Sequence, residues 1–132
     1  MTHAQRNVQL YLARLSEMLG IALTLNNGVC ALYDNDRRQA AIIEVPDHSD
    51  NVIIHARLGL LRNSPQNLQH LLNINFDVSK LRGCWLSLDQ QNVCLCTQRE
   101  LSTLDEKQFC DLVTGFTEQL RQTRSQYASL LA

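Results

Sequence analysis

"IALTLNNGVCALYDNDRRQAAIIEV", residues 21–45, is the stretch on which the fold turns. Asn26-Asn27-Gly28 separates two short apolar runs, and an Asn-Gly step supplies the positive φ that a two-residue hairpin turn demands. A second polar turn, Asp34 to Arg38, leads into a third run through Ile42, Ile43 and Val45, which Pro46 ends. Strands joined by turns this short pair antiparallel, because a parallel crossover consumes a dozen residues or more.

Working outward, residues 4–19 place Val8, Tyr11, Leu12, Leu15 and Leu19 at helical spacing, and Gly20 supplies a stop. Downstream, "VIIHARLGLL" reads as a fourth strand. Ser64 and Pro65 then open a second helix as N-cap and first helical residue, with Leu68, Leu71, Leu72 and Asn75 on one face. "GCWLSLD", the turn "DQQN" and "VCLCTQ" form another hairpin. Thr103-Leu104-Asp105-Glu106 fits a capping box for a last helix striped by Phe109, Leu112, Val113, Phe116, Leu120 and Tyr127. The expected fold is α+β, an antiparallel twisted sheet with three helices in the order α-β-β-β-β-α-β-β-α, as one domain over residues 1–132.

The composition narrows the function. Of 132 residues 45% are hydrophobic and 19% charged, and the net charge is −1 with no basic block longer than Arg37-Arg38. That is not the electrostatic footprint of a nucleic-acid binder. No apolar run reaches bilayer length, and the first residues lead into an amphipathic pattern rather than a secretory signal, so the expected location is the cytosol. Five cysteines without framework spacing read as small buried hydrophobes of a reducing compartment.

The search for chemistry returns little. Cys94-Leu95-Cys96 puts two thiols on one strand face, with Cys84 on the neighbouring strand, but no second pair and no His-x-x-x-His completes a zinc site. His3, His48, His55 and His70 stand in four unrelated settings. Asp34, Asp36, Asp47 and Asp50 lie in turns without calcium-loop spacing, and the glycines cradle no phosphate. No metal, cofactor or catalytic residue is expected. What stands out instead is a surplus of apolar strand faces: Val93 and Leu95 oppose Cys94 and Cys96, Trp85 opposes Leu86 and Leu88, and "AAIIEV" and "VIIHA" are apolar on both sides. One face packs on helices; the other asks for a partner.

The first helix ending in "LG", the meander "LTLNNGVCALYDNDRRQAAIIEV", the segment "LLNINF" and the return hairpin "GCWLSLDQQNVCLCTQRELSTLDEKQF" together resemble the Tir-chaperone family, the class I chaperones of bacterial type III secretion. The resemblance spans nearly the full chain. It implies a non-enzymatic, ATP-independent chaperone of the bacterial cytoplasm that binds the N-terminal region of one or more secreted effectors and keeps it soluble for the secretion ATPase, itself a further partner. It also implies a homodimer, with a heterodimer as the alternative pairing. By region, Leu68, Leu71 and Leu72 become dimer contacts, joined by Trp85 as an anchor. Tyr11, Leu15, Val29, Ala31, Tyr33, Ile42 and Ile53 become effector-facing. The competing reading is an adaptor or regulator that uses the same fold to sequester a cytosolic partner.

Overall fold

The computed structural model describes residues 1–132. Its elements in chain order are α1 (His3–Leu19), β1 (Val29–Tyr33), β2 (Gln39–Glu44), β3 (Asn51–Leu60), α2 (Pro65–Phe76), β4 (Trp85–Asp89), β5 (Asn92–Glu100) and α3 (Glu106–Gln126). The strands form one antiparallel sheet in the order β1-β2-β3-β5-β4.

The α+β class and the three helices stand as read, with one strand fewer. Residues 21–25 do not join the sheet. The Asn-Gly turn does form, with Asn27 at φ 52°, Gly28 at φ 79° and a single bridge between Asn26 and Val29. The run before it finds other partners: Leu23 N–H donates to Ser16 Oγ at 3.0 Å and Leu25 N–H to Gln9 Oε1 at 2.9 Å. Side chains of α1 thus satisfy the backbone that a ladder would have paired, while Leu23 and Leu25 enter the core. Gly28 is held to glycine on two counts. Its φ is positive, and a Cβ there would stand 2.7 Å from the Val45 carbonyl oxygen.

The helix ends follow capping chemistry. Thr2 and Gln5 form a reciprocal box at α1, Ser64 accepts from Asn67 N–H at α2, and Gly20 closes α1 in the left-handed conformation. At α3 the box falls on Asp105 and Gln108 rather than Thr103 and Glu106, because Leu101–Thr103 is already wound as a separate 3-10 turn.

Strand alternation sorts the sheet into two faces. Cys30, Ile43, Ile54, Leu95 and Leu86 belong to the inner face and are buried. Val8, Leu12 and Leu15 of α1 and Phe109, Val113, Phe116 and Leu120 of α3 complete the same apolar cluster. A bulge between Arg57 and Gly59 lets β3 stay paired with β5 over its length. The helix α2 lies apart, against β4, with Leu71 and Ile74 turned inward.

Candidate functional site

The outer sheet face is left without a covering helix. Register places Ala31, Ile42, His55, Cys96 and Trp85 side by side in one row across all five strands. A neighbouring row carries Val29, Glu44, Ile53 and Gln98. None of these side chains belongs to the buried cluster. His55 Nε2 stands 3.2 Å from Glu44 Oε2, a polar pair set between apolar neighbours. The face is half-buried and largely apolar, marked by a few polar groups, a composition that interaction surfaces share.

At the β4 edge of the sheet lies an apolar groove of about 360 Å³ between α2 and β4, lined by Leu68, Leu71, Leu72, Leu86 and Leu88 with Asn75 and Ser87. Leu72 is 71% exposed and Phe76 90% exposed on α2, and Trp85 is 40% exposed on β4. Asn75 has a distinct task. Its Nδ2 donates to Leu86 O at 2.8 Å, and its Oδ1 accepts from Leu86 N–H at 2.7 Å, so one carboxamide occupies both outward backbone groups of Leu86, while ladder alternation turns those of Leu88 outward with no such cover. The opposite edge, β1, is arranged alike. Asn26 pairs with both outward groups of Val29, but ladder alternation turns those of Ala31 outward with no such cover.

The residues singled out from sequence fall into two sets. Leu68, Leu72, Trp85, Ala31 and Tyr33 are exposed, and Val29, Ile42 and Ile53 are half-buried on the outer face. Leu71 is buried and forms the floor of the α2 groove. Leu15 is 0% exposed and lies in the core of the protomer, and Tyr11 is half-buried against that core with its ring 5.5 Å from that of Phe109. The reason is the helical stripe they share with Val8 and Leu12: one apolar face of α1 is consumed by α3 and the sheet. Sequence reasoning passed over Leu10, Met18 and Ile21, which are exposed on or after α1, and Phe76 and Val78, exposed at and after the end of α2. Their only signal was an apolar residue off the main stripe.

The cysteines do not assemble a reactive centre. Burial raises the pKa of Cys84, Cys94 and Cys96, which favours the thiol over the nucleophilic and metal-binding thiolate. Cys96 Sγ lies 3.3 Å from Ser87 Oγ, and no three His, Cys, Asp or Glu side chains converge on a common point. Adding EDTA is therefore expected to leave the thermal midpoint in scanning calorimetry where it was; a clear drop would point to a bound structural metal. No helix is long and apolar enough to cross a membrane.

Comparison with known proteins adds to this geometry. The family model described as Tir chaperone protein (CesT) family matches residues 11–124. No curated protein sequence matches the chain. Among solved structures, a chain of the HopA1–SchA chaperone–effector complex superposes with a TM-score of 0.75 at 16% identity, covering 95% of this chain and 98% of that one. A chain of the ExsC–ExsE complex gives 0.76 at 16% identity, covering 96% and 95%. A chain from the complex of the Yersinia pestis type III secretion chaperone SycH with a stable fragment of YscM2 gives 0.64 at 16% identity, covering 86% and 97%. At these identities the solved structures share the fold.

Proposed function

The chain belongs to the Tir chaperone protein (CesT) family, and on that premise we propose that it is a type III secretion chaperone of the bacterial cytoplasm, non-enzymatic and ATP-independent, with residues 1–132 acting as one domain. It binds the N-terminal region of one or more secreted effectors and keeps that region soluble and ready for the secretion ATPase. The observation that carries this reading is the uncovered outer sheet face, which runs from an open strand edge at β1 to an apolar groove at α2. An extended client segment gains main-chain hydrogen bonds at the edge and fills apolar depressions with alternate side chains.

Two surfaces divide the work. Leu68, Leu72 and Trp85, with Phe76 and Leu88, form the contact with a second protomer, and Leu71 supports them from below. Val29, Ala31, Tyr33, Ile42 and Ile53 face the client, while Tyr11 and Leu15 hold α1 in place beneath. The pairing is a homodimer, with a related chain as the alternative partner.

Affinity capture from the native host under secretion-inducing conditions, read by mass spectrometry, tests the function. The expected result is a secreted protein whose recovery is lost when its N-terminal region is deleted. Capture of a cytosolic regulator alone would replace this reading with that of an adaptor.

A further inference from the structure

Four arginines gather where the sheet comes apart. Pairing between β2 and β3 stops at Ile42 and His55, and the two strands diverge beyond that point. Arg57 N–H donates to the Gln39 side chain at 2.9 Å in place of a ladder bond. From α3, Arg124 reaches the parted strand, Nε donating to Leu58 O at 3.1 Å and Nη2 to Arg57 O at 3.0 Å. The gap so held is a cleft of about 470 Å³ lined by Tyr33, Arg37, Arg38, Gln39, Arg57 and Arg124, and no carboxylate lines it.

The charge in this cleft is not balanced locally. Arg38 pairs with Asp34 and Asp36 at 3.3 Å each. Arg37, Arg57 and Arg124 have no ion-pair partner. Burial, and after it the charge of Arg38, holds the Arg124 guanidinium below its usual pKa. A chain of net charge −1 thus concentrates four of its twelve basic residues in one depression. Guanidinium groups present planar forks that match carboxylates two bonds at a time.

The cleft is continuous with the open edge. The strand β1 runs from Val29 to Tyr33, and its last side chain is part of the cleft wall. We infer that the cleft receives an acidic stretch of the client chain, continuous with the segment that pairs along β1; this rests on the client-binding reading above. A segment added antiparallel to β1 places those acidic residues at its N-terminal end. Peptide is favoured over nucleic acid because the basic groups form one compact depression beside a strand edge, without the long phosphate-tracking stripe that nucleic acid requires.

The test uses the full chain and a fluorescein-labelled oligoglutamate peptide, with oligoglutamine and oligouridylate as comparison probes, read by anisotropy at low and high salt. Oligoglutamate is expected to bind, to weaken with salt, and to lose about tenfold or more in affinity in the R37E/R57E double variant. The K107E variant, at the far end of α3, is expected to bind as wild type does. Should the double variant fail to fold by circular dichroism, R57Q alone is expected to weaken binding several-fold. Absence of oligoglutamate binding, or binding unchanged by these variants, overturns the inference. Tighter binding of oligouridylate through the same arginines overturns it in favour of a nucleic-acid site. A further comparison separates this inference from the function on which it rests. If no secreted protein co-purifies with wild type, the chaperone reading fails. If one does and R37E/R57E retains it equally, only the cleft assignment fails.

Discussion

Leu72→Asp is expected to leave the protomer folded and to convert the proposed dimer into a monomer. The side chain is 71% exposed on α2 at the rim of the apolar groove, so a carboxylate there meets water in the isolated protomer and the core does not change. Across a two-fold interface the same substitution acts twice. At about 2 kcal/mol for each copy of a hot-spot side chain, the pair loses about 4 kcal/mol, close to a thousandfold in dimer Kd. Light scattering behind size-exclusion chromatography at micromolar protein reads the outcome directly, with circular dichroism as the control on folding. A dimer that survives unchanged removes α2 from the interface. Leu71→Asp is a poorer probe, since Leu71 is buried and its loss disrupts the fold together with any interface.

The second large effect falls on α1. Leu15→Ala is expected to destabilise the protein by about 2–5 kcal/mol, because Leu15 is fully enclosed between α1 and its neighbours and truncation leaves a cavity. Against a total stability of roughly 5–15 kcal/mol this is a large fraction, and it lowers the thermal midpoint by about 10 °C. Leu10→Ala, one turn and a half earlier and 65% exposed, is expected to change stability by no more than about 0.5 kcal/mol. Parallel thermal melts of the two variants make the comparison. A Leu15→Ala protein with an unchanged midpoint would contradict its placement in the core.

These two residues show what the sequence could and could not convey. The periods of 3.6 and 2 and the Asn-Gly turn were enough to place three helices and an antiparallel sheet, since those signals are local. Periodicity marks an apolar face without saying what covers it. Leu15 and Leu72 belong to equally apolar helical faces, yet α3 packs against one and leaves the other in solvent. The run Ile21–Leu25 has the alternation of a strand, and Leu23 and Leu25 are buried with that period. It stays out of the sheet because Gln9 and Ser16 satisfy its backbone, a contact between residues too far apart in sequence for a local pattern to reveal. The arginine cleft was hidden for the same reason: Arg37, Arg57 and Arg124 come from three different elements.

The carboxamide of Asn75 on Leu86 and the backbone of Asn26 on Val29 each shorten an open edge of the sheet. A sheet open at both ends is a building block for filaments, because each copy added presents a fresh end to the next. Here each end is partly occupied by the chain itself, which leaves Leu88 on β4 and Ala31 on β1 turned outward. Edges shortened in this way give stacked copies of the chain little main chain to template on.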